Sequence, residues 1–447
     1  MCRQQNSTQK DPTITTRHQV HDEDFPWHIG VCDAHCHPTD TMSSIARVQG
    51  MRARALTIMA TRSQDQDLVA SVAAKSGIRD RSAFASVPDT QHAPEKIVPA
   101  FGWHPWFSYQ LYDDTEGGGG SSGSSTTTDD PGSTSPAAYK AKHYSAVLTP
   151  QPDDTFIDSL PDPVPLSTFL ASTRRRILEA GGPALIGEVG LDKAFRLPWP
   201  WNHPATAAEG GQLTPGGREG RTLSPHHVRM AHQVAVLKAQ LRLAGELGVA
   251  VSVHGVQAHG VLFDALASLW KGHEKEVVSR RKQKLVAEGA EDFSSSEEEE
   301  EEEEEGGDGE GEGEQDEKKK KEKEKGKEKK KGGYRPVPFP PRVCLHSFSG
   351  SPQMVHQYLN PAIPVRVFFS FSTVINLSTA GGESKFPDVV RACPDDRVLV
   401  ESDLHCAGEE MDRVLEDICR RVCEIKGWTL EEGLARIRKN YEQFVFG

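Results

Sequence analysis

Eight short apolar runs recur along the chain, and this recurrence limits the possible folds more than any other feature of the sequence. We interpret them as β-strands at 29–33, 55–61, 96–102, 184–190, 249–255, 342–348, 365–371 and 397–403. Helical patterns separate most of these runs, at 167–180, 257–270, 352–359 and 409–426. Near-continuous apolar strands that alternate with helices form parallel sheets covered on both faces. The pattern therefore predicts an α/β fold, a (β/α)8 TIM-like barrel, with an open doubly wound sheet as the alternative.

The clearest helical pattern precedes the fifth apolar run. Ser224 is the predicted N-cap of this helix and Pro225 its first helical residue, because both residue types are favoured there. Gly248 lies just past the predicted end, as expected of a C-terminal glycine.

Three long low-complexity insertions interrupt the pattern, at about 113–160, 197–222 and 274–338. We expect them to be disordered, like the polar N-terminal tail 1–27, so that 28–447 forms a single barrel domain. The net charge of −13 is concentrated in the third insertion, where 297–331 contains 18 acidic and 10 basic residues. The rest of the chain is only mildly acidic, and its overall charge gives no reason to expect avid, nonspecific binding to nucleic acid.

Cysteine spacing and hydropathy bear on where the protein works. The eight cysteines show no repeated CxxC spacing, and no stretch of eighteen apolar residues occurs. We therefore expect a soluble protein with reduced thiols that is cytoplasmic, nuclear or both, is not secreted and does not enter a membrane. The sequence does not fix the oligomeric state, and a monomer is expected.

Polar side chains suited to metal binding follow or end six of the apolar runs. His35 and His37 are two residues apart, so in an extended segment both imidazoles point to the same side. The others are His104, Glu188, His254, His346 and Asp403. Each alone could be an ordinary hydrogen-bonded or helix-capping residue, but in a (β/α)8 barrel the carboxyl ends of all strands meet at one mouth. Together they predict a metal site, and a set of imidazoles and carboxylates without thiolate suits Zn, Mn or Mg.

The sequence resembles the TatD family of metal-dependent hydrolases, usually described as deoxyribonucleases, within the amidohydrolase-like barrels. The matching stretches are "DAHCHP", "FGWHPW", "ALIGEVGLD", "HQVAVLKAQLRLAGELGVAVSVHG", "CLHSFSG", "VLVESD" and "NYEQFVFG", in family order from residue 33 to 447. The resemblance is greatest to the fungal branch known as interactors of a TPR subunit of the anaphase-promoting complex.

The resemblance implies a role for each of these residues. His35, His37 and Asp403 would bind the first of two divalent metal cations, and His254 and His346 the second. Glu188 would bridge the two cations, Asp403 would also help to activate water, and His104 would lie near the substrate phosphate. The implied catalytic residues are thus Asp403, Glu188 and His104. The implied reaction is hydrolysis of phosphodiester bonds in DNA, or in another phosphodiester substrate, by a metal-activated water, and the implied partner is a TPR protein.

Two departures from the family pattern leave alternatives open. The family commonly has histidine-serine-arginine where this chain has His254-Gly255-Val256, and its loop after Asp403 also differs. The first change removes an arginine that could hold phosphate. The alternatives are an amidohydrolase-type C–N hydrolase on the same barrel and a protein-interaction role with vestigial catalysis. Many amidohydrolases bridge their metals with a carboxylated lysine, so Glu188 favours the TatD-type interpretation.

Overall fold

The computed structural model describes residues 24–85, 93–115, 136–200, 221–277, 336–378 and 380–447. Internal contacts divide the chain into one unit of residues 1–274 and 337–447 and a second unit of residues 275–336. Almost all of the second unit lies outside the described residues. The elements below belong to the first unit.

Eight parallel strands form the centre of this unit. In chain order they are β1 (Cys32–Cys36), β2 (Ala55–Met59), β3 (Ile97–Phe101), β4 (Leu185–Asp192), β5 (Val251–Val256), β6 (Arg342–Leu345), β7 (Arg366–Phe371) and β8 (Val398–Val400). Each strand pairs with the next in parallel, so the order in the sheet is the order in the chain.

Backbone hydrogen bonds between the segment after β8 and the end of β1 close this sheet. The amide of Asp403 donates to the carbonyl of His35 at 3.1 Å, and the amide of His37 donates to the carbonyl of Leu404 at 2.8 Å. We call this junction the seam. The predicted barrel is therefore confirmed, and the open doubly wound sheet is wrong because the edge strands of an open sheet do not meet.

The helices lie around the strands. They are α1 (Ser63–Ser76), α2 (Arg81–Ala85), α3 (Pro136–Val147), α4 (Asp154–Ser159), α5 (Leu166–Glu179), α6 (Met230–Leu247), α7 (His259–Trp270), α8 (Pro352–Tyr358), α9 (Thr373–Asn376), α10 (Ala380–Ala392), α11 (Glu409–Lys426) and α12 (Leu430–Phe446). Short 3-10 helices occupy Trp27–Ile29, Pro38–Gly50, Pro105–Gln110 and Asp395–Arg397. Within the described part of the chain, no helix is long and apolar enough to cross a membrane.

Buried side chains form an inner and an outer layer. Alternate strand residues such as Ala34, Val98 and Leu399 pack together inside the barrel, and Tyr441 and Phe444 of α12 complete this inner cluster. The opposite strand faces pack against the surrounding helices in a larger cluster. The polar side chains of the candidate site lie at or just beyond the carboxyl ends of the strands.

Two predicted starts are wrong by three residues or more. The first strand, predicted at 29–33, begins three residues later, because Trp27–Ile29 forms a 3-10 turn that ends at Gly30 with a φ of 96°. The helix predicted to begin at Pro225, with Ser224 as its N-cap, begins at Met230, while Ser224 Oγ instead donates to the carbonyl of Leu197 at 2.7 Å. The predicted end is confirmed, since Gly248 follows this helix with a φ of 69°.

The expectation of disorder from 113 to 160 is wrong for its second part. There α3 and α4 form, and Tyr144 and Phe156 pack with Leu148 and Leu197 in a separate apolar cluster. Large apolar and aromatic side chains build this cluster, although the preceding residues have a linker composition. The tail 1–23 and residues 116–135, 201–220 and 278–335 lie outside the described residues.

Candidate metal centre

The barrel brings all seven predicted site residues together at the carboxyl ends of its strands. Each comes from, or closely follows, a different strand, apart from the pair at the end of β1. Those within strands are His35 in β1, Glu188 in β4 and His254 in β5. The others follow their strands and are His37, His104, His346 and Asp403.

The carboxylate of Glu188 lies at the centre of the cluster and faces two groups of imidazoles. Its Oε1 is 2.8 Å from His346 Nε2, 2.9 Å from His254 Nδ1 and 3.1 Å from His104 Nε2. Its Oε2 is 3.3 Å from His37 Nε2 and 3.5 Å from His35 Nε2. One carboxylate thus contacts both groups with different oxygens.

Asp403 joins the group that contains the two histidines of β1. Its Oδ1 is 3.4 Å from His37 Nε2 and 3.8 Å from His35 Nε2. Its side chain is 15% exposed, against 5% for Glu188. Of these two carboxylates, Asp403 is therefore the one more open to solvent.

The spacing of these atoms fits divalent cations. The Nε2 atoms of His35 and His37 are 3.1 Å apart, as are His254 Nδ1 and His346 Nε2. Ligand atoms about 2.0–2.1 Å from a tetrahedral cation are about 3.4 Å apart, close to these distances. Groups that could hold a metal ion include His35 with His37 and Glu188, and Glu188 with His104 and His254.

Hydrogen bonds on the outer nitrogens of three imidazoles leave their inner nitrogens facing the centre. His254 Nε2 lies 3.2 Å from Asp192 Oδ2, and His346 Nδ1 lies 3.4 Å from Glu401 Oε1, so these nitrogens donate. His35 Nδ1 is 2.8 Å from Ser252 Oγ, which can accept in the same way. A histidine whose outer nitrogen carries the proton is set up to bind a cation with the inner one.

His104 has the opposite hydrogen-bond polarity. The backbone N–H of Trp106 donates to His104 Nδ1 at 3.1 Å, so this outer nitrogen accepts. Burial lowers the pKa of His104 to about 4, so at neutral pH its one proton is on the inner Nε2, facing Glu188. His104 could bind a cation through Nε2 only as an imidazolate, and it is better placed to donate to Glu188. Its predicted proximity to a substrate phosphate stays a prediction.

Both central carboxylates are ionised at neutral pH. Burial alone would raise the pKa of Glu188, but His104, His346 and other imidazoles lower it well below its usual value. Burial alone would also raise the pKa of Asp403, but the hydrogen bond with His37 and the nearby imidazoles lower it to about 2. Burial would lower the pKa of His37 and of His346, but the neighbouring carboxylates raise that of His37 to about 9 and that of His346 well above its usual value, so both rings hold protons that a divalent cation would displace.

Two buried carboxylates behind the centre were not predicted. Asp192 Oδ2 accepts from the Trp106 indole at 2.6 Å. Burial alone would raise the pKa of Asp192, but its hydrogen bonds with His254 and Trp106 lower the pKa to about 2. Glu401 accepts from the amide and hydroxyl of Ser347 at 2.8 and 2.5 Å. Alternation along the strand could have indicated Glu401, which is two residues before Asp403.

This chain is similar to several known proteins. A family model described as TatD related DNase matches residues 32–446. The Cut9-interacting protein scn1 of Schizosaccharomyces pombe is 33% identical over 93% of this chain and 98% of its own length. An uncharacterized deoxyribonuclease of Saccharomyces cerevisiae is 28% identical over 38% of this chain and 43% of its own. Among solved structures, an uncharacterized amidohydrolase from S. cerevisiae covers 93% of this chain and 99% of its own, with 13% identity and a TM-score of 0.46.

Proposed function

Because the chain belongs to the TatD-related DNase family and is therefore a hydrolase of that family, we propose that it cleaves phosphodiester bonds in DNA by metal-dependent hydrolysis. The observation that supports this most is the position of Glu188, whose two carboxylate oxygens face two separate groups of imidazoles. This arrangement suits a pair of cations that share one carboxylate, as in many enzymes that displace groups at phosphorus.

We assign two sets of ligands. His35, His37 and Asp403 would hold one cation with Glu188 Oε2, and His254 and His346 would hold the other with Glu188 Oε1. When bound, such cations supply Lewis acidity that lowers the pKa of water and polarises a phosphoryl oxygen. The donor set accepts Zn, Mn or Mg.

The chain's own side chains would contribute proton transfer and orientation. Asp403 is ionised and the more exposed of the two central carboxylates, so it is placed to orient a water molecule and take its proton. His104 would hold the Glu188 carboxylate in place through its Nε2 proton. Asp192 and Glu401 would fix the ring orientations of His254 and His346.

Metal content and hydrolysis together test this proposal. The protein is stripped with a chelator, reloaded with Zn, Mn or Mg, and assayed on bis(p-nitrophenyl) phosphate and on a DNA oligonucleotide. We expect two cations per chain and hydrolysis of both substrates. Glu188→Ala and Glu188→Gln should each lose cations and at least a thousandfold in kcat/KM, because the shared anion is gone.

A matched control is Glu424→Gln, which neutralises an exposed glutamate of α11 and should change neither quantity. Full metal content and activity in Glu188→Gln would contradict the shared-carboxylate mechanism. Hydrolysis of amides but of no phosphodiester would favour the C–N hydrolase instead.

Binding of a protein partner is a second proposed role. The S. pombe relative, which matches over nearly its whole length, is named for an interaction with Cut9. We propose that this chain also binds a protein, with a TPR protein as the expected class, in the nucleus or cytoplasm. Glu188→Ala should then abolish hydrolysis while leaving partner binding intact, whereas loss of both would tie the interaction to the metal centre.

A further inference from the structure

A pocket of about 320 Å³ opens beside the metal centre, at the ends of three consecutive strands. Arg62 follows β2, Phe107 and Tyr109 follow β3, and Phe195 follows β4. Residues 159–161, just after α4, and Arg221 complete the described part of its wall. The pocket therefore lies on the catalytic face of the barrel.

This pocket and the candidate metal centre share a wall. The backbone N–H of His104 donates at 2.9 Å to the carbonyl of Thr61, the residue before Arg62. The ring of Trp106 touches His104 on one side and stacks on Phe195 on the other, with ring centroids 4.6 and 4.9 Å away. One aromatic layer thus separates the pocket from the proposed ligands.

The pocket is cationic and partly aromatic. Among the described residues that line it, two are arginines and none is a carboxylate. The Arg62 guanidinium carbon lies 5.2 Å from the centre of the Phe107 ring, and Arg221 Nη1 donates to the carbonyl of Trp199 at 3.4 Å. Both arginines line the same pocket as Tyr109, whose pKa is raised by burial against the opposing effects of the Gln110 hydrogen bond and the two arginine charges.

Arg62 keeps unused hydrogen-bonding capacity. Its Nε is buried without a hydrogen bond, 3.5 Å from Asp65 Oδ1, and within the described chain its terminal nitrogens make none. Asp65 faces Arg62 with Oδ1 only, since its Oδ2 accepts from the Thr61 hydroxyl at 2.5 Å. A phosphate oxygen is the kind of acceptor that an arginine in this position recognises.

We propose that this pocket is a subsite for the nucleotide next to the scissile phosphodiester, with Arg62 and Arg221 binding its phosphate and Phe107 and Phe195 contacting its sugar or base. The inference rests on the proposed function, because a flanking nucleotide exists only if nucleic acid is the substrate. Aromatic faces suit bases of any sequence, and the volume is that of a small ligand site. The subsite would favour a DNA strand over a diester that lacks a neighbouring nucleotide.

Binding to the metal-free full-length protein tests the pocket separately from catalysis. Calorimetry is run with thymidine 5′-monophosphate, thymidine and inorganic phosphate. We expect the monophosphate to bind more tightly than either fragment. Arg62→Gln and Arg221→Gln should each raise its Kd at least fivefold, while Arg175→Gln, which removes an exposed arginine of α5, should not change it. Equal Kd values in wild type and both pocket variants, whose folding is checked by circular dichroism, would overturn the proposal.

Kinetics on the metal-loaded enzyme then link the pocket to the reaction. The ratio of kcat/KM for a trinucleotide to that for bis(p-nitrophenyl) phosphate should fall about tenfold in Arg62→Gln and in Arg221→Gln. An unchanged ratio in an active enzyme would reject the subsite and leave the proposed hydrolysis standing. A wild type that hydrolyses neither substrate would reject the proposed function, and the calorimetry would still report on the pocket.

Discussion

At the scale of single residues, hydrogen-bond polarity distinguishes histidines that composition cannot separate. His254 and His346 donate from their outer nitrogens to carboxylates, whereas His104 accepts from a backbone N–H. The same side chain is therefore prepared as a cation ligand in one position and as a hydrogen-bond donor in another.

This difference predicts unequal effects of two matched substitutions. His104→Gln should keep both cations, with affinity within about threefold of wild type, and lower hydrolysis about tenfold, because only the orientation of Glu188 is disturbed. His254→Gln should lose one cation per chain. Metal analysis after dialysis checks both variants, and loss of a cation from His104→Gln would make His104 a ligand.

Residue spacing predicted the members of the cluster but not their atomic roles. His35 with His37, and the strand-end positions of Glu188, His254 and Asp403, follow from strand alternation and the shared barrel mouth. Asp192 behind His254 could not be predicted, because the contact depends on how far β4 extends beside β5. The hydrogen-bond polarity of His104 is set by the backbone N–H of Trp106. Every residue type except proline has such a group, so the sequence could not indicate this contact.

At the scale of elements, backbone shape decides where adjacent strands and helices meet. Gly190 of β4 has a φ of 153°, and a Cβ there would overlap the carbonyl oxygen of His254 in β5. The glycine thus allows close approach of two strands that carry proposed ligands. The sequence predicted the existence of β4 and β5 but not this contact, and it misplaced the start of α6 because serine and proline also suit turns.

Asp412 of α11 joins the outer helices to the barrel. Its carboxylate accepts from the backbone N–H groups of Arg52 at 2.8 Å and Ala53 at 3.1 Å, just before β2. Asp412→Ala should lower the free energy of unfolding by about 1–3 kcal/mol, because two N–H groups lose their acceptor in a largely buried place. Urea denaturation measures the change. The exposed Asp417 on the same helix gives the control Asp417→Ala, and equal stability of the two variants would show that the bonds contribute nothing.

At the scale of the whole molecule, the order of strands places both attachment points of the charged insertion at the end of the barrel opposite the proposed ligands. The 71 residues between Trp270 and Arg342 join the end of α7 to the start of β6, whereas His346 follows the opposite end of that strand. Connections of this kind meet the barrel at the face remote from the active site.

Deletion of residues 294–331 should therefore leave metal content and hydrolysis of bis(p-nitrophenyl) phosphate nearly unchanged. It roughly halves the connection, which should stabilise the fold by about 0.6 kcal/mol through loop-closure entropy. Thermal unfolding and the metal-loaded assay measure both effects. A large loss of hydrolysis on this small substrate would mean that the segment reaches the catalytic face.

The seam also sets a time at which the centre can first exist. His35 and His37 enter the growing chain about 370 residues before Asp403 and Leu404, whose backbone groups complete the seam. At roughly 5–20 residues per second, translation takes roughly 20 to 70 s to cover that interval. Until then, β1 lacks the backbone hydrogen bonds that close the barrel. The nascent polypeptide also has the four proposed imidazole ligands but not Asp403. A ribosome that stalls before the eighth strand therefore releases a fragment without the assembled centre, so the proposed hydrolysis is confined to chains that have been translated past Leu404.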